Sequence, residues 1–588
     1  VTQSLKIEPH KTDPTRWLAP LLVIVAVALA YCNSFQGEMV FDDLPSLRDN
    51  PEIQHLIPQQ YSDITTTLNG RPVLRFSFAL DYAMAGLNLP VLHTTNLLIH
   101  IASCLLIYGI IRRMLLQQEN WGDRFAESAP WLAAAVAGLW GVHPLNTESV
   151  TYLIQRAESL ASMFYLAAIY CVIRASESPV KSWRWQIGAV VAAILGMGTK
   201  EMVATVPVTA YLFDRIFLKG RGRDRWLMYT GMCLGWLLIG WGVVHGKRGP
   251  SISLRGWISP KEYALTQLNA IAHFLRLMVW PRGLILDEDG WPIAHGIGDV
   301  GVGGAAVVLL LITTIFMLWR WPKVGFAWAW FFLILAPSSS FVPIVTEVVA
   351  EHRMYLPMLG WIALFVIGGW SLARDSMPLR LAESAMCLAM LAAFCVLTLQ
   401  RNAQYRTAEV IWRDTIAKRP TNVRAHFNLG YSLMQEAHQY PPGSSPFKIL
   451  AAEAVAEYRL CLKYDDHYFP AGVRMADAMA ESGDLAGAEA MYDHLLKVNP
   501  EFIGDGNVLR GKIRVERGNF QGAREDFQAA TAALPNDAEA HYLLGLADEQ
   551  FKDWSGAAAE FQRAVDLAPQ NADARLQLLT VKTLMGNS

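Results

Sequence analysis

WLAPLLVIVAVALAYC, running from Trp17 to Cys32, is an unbroken apolar stretch, and soon after it the chain reads FDD, Phe41 to Asp43. About 20 apolar residues cross the roughly 30 Å of bilayer hydrocarbon, and this stretch with its flanks has that length. An acidic pair directly beyond a candidate span is costly unless it faces water or a polar cavity. Working outward, similar runs follow at 92–111, 129–142, 157–173, 185–199, 202–218, 226–244, 301–319, 324–337, 356–373 and 383–400, which with 17–33 makes eleven expected spans. Beyond Gln400 the runs stop and charge rises. The chain as a whole is 53% hydrophobic and 17% charged, against roughly 25% charged in an average soluble protein. Two domains of different solvent class are therefore expected, 1–400 in the membrane and 401–588 in water.

The connections carrying Arg112, Arg113 and Arg124, then Arg174, Lys181 and Arg184, then Arg215, Lys219, Arg221, Arg223 and Arg225, then Arg320 and Lys323, then Arg374 and Arg380, all fall on the side of the N-terminus. That alternation obeys the positive-inside rule and puts the N-terminus inside. The segment Tyr263 to Trp280 keeps the alternation only as an interfacial or re-entrant helix on the outer face, which suits its Gln267, Asn269, His273 and Arg276. An odd number of spans then leaves the tail outside. The first run, preceded by Lys6, Lys11 and Arg16 and containing Ala28-Leu29-Ala30, also has the form of a cleavable signal peptide; a retained anchor is the preferred reading. A net charge of −2 supplies no basic field for a polyanion and argues against nucleic acid. The seven cysteines have neither metal-ligand spacing nor the pattern of a disulfide framework.

In the tail, Pro500, Pro535 and Pro569 recur at intervals of 35 and 34 residues, the period of tetratricopeptide repeats (TPRs). The same offsets return small residues where two helices touch: Gly545, Ala557 and Ala564 with Phe561, and before them Gly511, Ala523 and Ala530 with Phe527. Looser copies use Ala476, Ala488 and Tyr492, and Gly430, Ala454 and Tyr458, the latter with an insertion around Tyr440-Pro441-Pro442-Gly443. About four repeats are expected, with a groove suited to extended peptide; a structural cap or oligomer contact are the alternatives. His426, His467, His494 and His541 show no fixed acidic or thiol partner and read as packing or surface residues.

Chemistry is expected in the outer connections, where polar residues cluster at helix ends. Besides Asp42 and Asp43 these are Arg71-Pro72, His143-Pro144 to Glu148, Arg156-Ala157-Glu158, Lys200-Glu201, the stretch Trp280-Pro281 to Asp287, and Glu351-His352-Arg353-Met354-Tyr355-Leu356-Pro357. Each alone has a plain structural reading, as a solvated loop, a helix stop or an ion pair. Together they fall on one face. A carboxylate beside several cations and imidazoles suits transfer from a phosphate-activated sugar, which needs a base for the acceptor hydroxyl and positive charge for the leaving phosphate.

In order and spacing, these motifs followed by TPRs resemble the transmembrane and TPR-containing O-mannosyltransferases and their bacterial relatives, over nearly the whole chain. The resemblance implies an all-α fold, a polytopic helix bundle of the GT-C glycosyltransferase type with about eleven spans followed by a TPR solenoid. It implies a polyprenyl-phosphate sugar as donor substrate, direct displacement with inversion, and a protein or peptide acceptor, glycosylated on Ser or Thr and held by the TPR groove. By it, Asp42 matches the general base with Asp43 beside it. Arg353 and Lys200, then Arg71, Arg156 and His352, are nominated for the donor phosphate, and His143, Glu148, Glu158, Glu201, Glu351 and Tyr355 for support. No cofactor is implied with certainty; paired carboxylates would either hold a divalent metal or share the base duty. The short repeat array looks like the bacterial relatives, with an inner-membrane location and TPRs in the periplasm. Two alternatives are block transfer of a preassembled glycan, in the manner of an oligosaccharyltransferase or O-antigen ligase, and a non-catalytic membrane scaffold.

Overall fold

A computed structural model describes residues 15–57, 70–177, 179–218, 225–244, 258–373 and 376–586. Lys6, Lys11, Lys219, Arg221, Arg223 and Arg374, used above for orientation, lie outside these residues. The described chain is all-α, with no strand. It divides into two compact units, Val1–Lys418 and Arg419–Ser588. The division thus falls after Lys418 rather than at Gln400. The helix Ala408–Lys418 is tied into the first unit: Arg401 donates to Asp414 at 2.9 Å, Lys418 donates to the Leu284 carbonyl at 2.7 Å, and Trp412 packs edge-on against Phe41.

Each of the eleven apolar segments contains helix. Among the described residues, five helices are long and apolar enough to cross a membrane, Trp17–Gln36, Leu89–Leu115, Leu153–Glu177, Val302–Arg320 and Met377–Gln404, and this is a membrane protein. The helices Ala129–Gly141, Trp226–Trp241, Pro322–Leu335 and Met358–Ala373 are equally apolar but shorter. Proline accounts for two of these limits: Pro144 follows the end of Ala129–Gly141 and Pro357 precedes Met358, and a proline interrupts the ladder by lacking an N–H. Carbonyls exposed at such breaks need donors. Trp140 Nε1 donates to Tyr355 O at 2.7 Å, Trp330 Nε1 to Leu356 O at 3.0 Å, and Thr398 Oγ1 to Val142 O at 2.8 Å. The breaks cluster at one end of the bundle, and the polar motifs gather there.

The segment expected to lie at the interface is the helix Pro260–Val279, opened by a Ser259/Glu262 capping box. Its polar face braces a wall of the first unit: Tyr263 Oη donates to Ser338 O at 2.6 Å and Gln267 to Val348 O at 2.8 Å.

The second unit stacks the pairs Val423–Ala437 with Ser445–Tyr464, Phe469–Glu481 with Leu485–Val498, Ile503–Glu516 with Phe520–Ala533, and Ala538–Gln550 with Trp554–Leu567, and ends with Ala572–Gly586. Within three pairs a glycine meets an aromatic ring. A Cβ added to Gly511 would lie 2.5 Å from Phe527, one on Gly545 would lie 2.7 Å from Phe561, and one on Gly430 would lie 2.7 Å from Tyr458. In the last three pairs, one turn joins the two helices. Gly483, Gly518 and Lys552 adopt φ of 97°, 77° and 60°. The next N–H then bonds back to Met479, Arg514 and Asp548, closing a Schellman motif. The side chains of Asp484, Asn519 and Asp553 cap the following helix. Contrary to the sequence reading, two repeat histidines do have a fixed acidic partner. His426 Nδ1 meets Glu457 and His541 Nδ1 meets Glu560, each at 2.6 Å, while Nε2 meets the carbonyl of Pro420 or Pro535. This is a repeat-packing device.

Candidate active site

The FDD stretch turns sharply. Phe41 has φ of 49°, a left-handed conformation rare outside glycine and costing of order 1–3 kcal/mol, so the surrounding structure must hold it. Asp43 does so. Fully buried, it accepts from the Ile154 N–H at 2.7 Å and the Val40 N–H at 3.1 Å, and burial pushes its carboxyl up to about 8. The Asp42 N–H donates to Tyr152 Oη at 2.9 Å. These bonds turn the two carboxylates apart, and only Asp42 of the two lines the cavity next to it.

That cavity, of about 470 Å³, is also lined by Arg71, Glu158, Lys200, Glu201, His352 and Arg353. Lys200 Nζ lies 2.5 Å from Glu158 Oε2, and Arg71 Nη2 lies 3.4 Å from Glu201 Oε2. Nε of Arg71 is buried and hydrogen-bonds to no described residue. His352 Nδ1 meets Glu148 Oε1 at 2.7 Å; burial, then Lys200, Arg353 and Arg71, push the imidazole well below its usual range, while burial pushes Glu148 up. This hydrogen-bonded pair sits at a wall beside the ion-paired Arg71 and Lys200. An anion with several acceptor oxygens fits there by displacing the Glu158 and Glu201 partners.

Other nominated residues stand elsewhere. Arg156 does not line the cavity: its guanidinium pairs with Asp81 at 2.7 Å, donates to Asn96 Oδ1 at 2.5 Å and to Leu92 O at 3.1 Å, and stacks over Phe78. With both members of the pair buried, Arg156 joins helices of the bundle. Arg353 lines the cavity, but its guanidinium donates to Val348 O at 3.0 Å, Ser338 O at 3.2 Å, Tyr263 Oη at 3.3 Å and the Glu347 carbonyl. These bonds pin the 337–350 wall. His143 is buried against Phe394 and neutral, with burial lowering it to about 4; Nδ1 accepts from the Leu145 N–H and Nε2 meets the Met278 carbonyl. Tyr355 is packed with His100 and Trp140. Glu351 accepts from the Ile285 N–H at 3.0 Å and anchors the loop after Trp280.

Tyr152, Asp81 and Glu347 were missed in the sequence. Glu347 lines the cavity, 3.7 Å from His352 Nε2. Asp81 and Glu347 are lone acids in otherwise apolar neighbourhoods, which is a readable signal; Tyr152 carries none. As to metals, among the described residues the ligand atoms of His273, Glu288 and Glu351 lie within 4.8 Å of one another. Such a nitrogen and oxygen set suits a borderline or hard divalent cation. Both oxygens of Asp43 accept from peptide N–H groups.

A tetratricopeptide repeat family model matches residues 508–572. Protein O-mannosyl-transferase TMTC4 of Homo sapiens is 24% identical over 494 residues, covering 74% of this chain and 66% of that protein. The chain is similar to this and other TMTC protein O-mannosyl-transferases. Tmtc3 of Drosophila melanogaster is 26% identical over 517 residues, covering 73% of this chain and 54% of its own length. The chain therefore spans two thirds or less of these TMTC relatives. Among solved structures, a MamA RS-1 double mutant aligns over 27% of the chain at 22% identity and a TM-score of 0.24, too low a likeness to carry an argument.

Proposed function

We propose that this chain is an integral-membrane glycosyltransferase that moves a single sugar from a polyprenyl-phosphate carrier to Ser or Thr of a protein acceptor. The observation that carries this reading is the cavity itself, in which one carboxylate, Asp42, shares a concave surface with Arg71 and Lys200. Asp42 accepts the proton of the acceptor hydroxyl as its oxygen attacks the anomeric carbon. The bond from that carbon to the phosphate oxygen breaks, and its electron pair leaves with the phosphate. Arg71 and Lys200 neutralise the developing charge, trading their contacts with Glu201 and Glu158 for the phosphate oxygens. The hydrogen-bonded His352–Glu148 pair and Arg353 brace the wall beside the donor. The names of the TMTC homologues support protein O-mannosylation as the class. The positive-inside distribution of Arg and Lys supports a site at the outer face. The repeat solenoid supports a peptide-holding role for the tail.

The test is Asp42→Asn, which keeps shape and removes the base. Intact glycopeptide mass spectrometry of cells carrying wild type shows single-sugar additions; with Asp42→Asn, transfer by membranes falls about 10²- to 10⁴-fold while expression and insertion persist. Unchanged transfer would favour a scaffold, and block addition of a preassembled glycan would favour the ligase alternative.

A further inference from the structure

A second cavity, of about 430 Å³, lies at the opposite end of the helix bundle. The helix Met358–Ala373 begins a few residues after His352 and lines this cavity at Val366 and Trp370; the helix Met377–Gln404 lines it from Glu383 to Leu391 and in its last turn carries Arg401, whose charge acts on Glu351. Its lining is almost wholly apolar, with Leu22, Ala26, Trp131, Gly138 and Leu391 among the residues. Its rim faces outward from the bundle, since Leu22 is 49% and Leu388 65% exposed, so it opens to the surrounding hydrocarbon.

One side chain does not belong in such a place. Glu383 is 8% exposed, lines the cavity, and neither of its carboxylate oxygens has a hydrogen-bond partner of good geometry, the Trp370 backbone being the one polar group that acts on it. Gly369 on the facing helix makes room for it: a Cβ there would lie 2.6 Å from Glu383 Oε1. One helical turn earlier, the Arg380 guanidinium lies over the Trp370 ring, 4.9 Å from its centroid. A lone carboxylate against hydrocarbon costs several kcal/mol, and a cationic group delivered from the bilayer offsets that cost. The molecule that reaches a lipid-facing cavity and carries both an ammonium and a phosphate is a phospholipid.

We infer that this cavity binds one phospholipid with a primary-amine headgroup, its ammonium on Glu383, its phosphate toward Arg380 and an acyl chain along Leu22, Ala26 and Leu391. The site is separate from the sugar-transfer cavity and independent of it. The ammonium supplies N–H donors for both carboxylate oxygens, which a quaternary choline headgroup lacks and a glycerol headgroup replaces without charge.

Purified wild type and Glu383→Gln are reconstituted in nanodiscs containing equal parts phosphatidylethanolamine, phosphatidylcholine and phosphatidylglycerol, extracted into detergent, and examined by native mass spectrometry. Wild type retains one phosphatidylethanolamine in preference to the other two lipids. Glu383→Gln retains about tenfold less, the loss of one favourable charged contact. Should Glu383→Gln fail to fold, thermal unfolding of wild type alone decides, with phosphatidylethanolamine raising Tm above phosphatidylcholine or phosphatidylglycerol at equal concentration. Equal retention of the three lipids by wild type, retention unchanged by Glu383→Gln, or a Tm indifferent to the headgroup each overturns the assignment.

Discussion

The repeat unit solves one packing problem several times, whereas the membrane unit solves many different ones once. Gly430, Gly511 and Gly545 each leave room for an aromatic ring from the partner helix. His426 and His541 each bridge to a glutamate and a proline carbonyl. In the membrane unit, by contrast, three arginines from similar polar motifs have three different roles. Arg156 is sealed against Asp81, Arg353 pins a loop through carbonyls, and Arg71 faces the cavity with a donor to spare. Repetition shows in spacing, but the role of a buried polar group depends on the partner brought to it by the fold.

The contrast can be broken in both units. The largest effect is expected from Arg156→Ala, which leaves Asp81 charged inside the bundle with the Thr95 hydroxyl but no cation beside it; a loss of about 3–5 kcal/mol follows, read as a collapse of thermal stability in detergent. Arg71→Ala, in the same assay, leaves stability near wild type and reduces transfer instead. In the repeats, Gly511→Val drives a side chain into Phe527 and costs about 1–3 kcal/mol, read as a lower Tm of the second unit.

Titration separates the units more gently. Folded Glu351 and Asp43 are pushed by burial to about 8 from ordinary values of 4.5 and 3.8. Between those values the folded protein holds protons that the unfolded chain has released. Stability therefore falls as pH rises through this window, by up to about 1.4 kcal/mol per pH unit for each group, and levels off above pH of about 8. Glu351→Gln keeps the Ile285 bond and removes that residue's share of the slope, measured as Tm against pH. The smallest effect is a gain. Lys552 occupies the left-handed turn position that its counterparts fill with Gly483 and Gly518, so Lys552→Gly stabilises the repeats by about 1 kcal/mol, read as a raised Tm.

Much of this architecture was legible in the residues. Apolar length marks eleven helical segments of the first unit, though not Pro72–Ala85 or Ala408–Lys418, and the spacing of Pro500, Pro535 and Pro569 marks the repeats. The gathering of Asp42, Arg71, Lys200 and His352 in one cavity follows the expectation that the outer motifs converge. The division of labour was not legible. Asp42 and Asp43 are chemically identical in sequence, and only the peptide N–H groups of Val40 and Ile154 distinguish them. Arg156 looked like a phosphate ligand because its partner, Asp81, lies on another helix far along the chain. The boundary at Gln400 followed the end of apolar sequence, whereas the contacts of Asp414 and Lys418 carry the first unit onward through Ala408–Lys418.

The most direct test is an electron cryo-microscopy structure of the purified protein with a polyprenyl phosphate bound. The account predicts phosphate density within hydrogen-bonding reach of Arg71 and Lys200, on the wall shared with Asp42, and no contact with Arg156. Phosphate density outside this cavity, or held there by neither Arg71 nor Lys200, contradicts it.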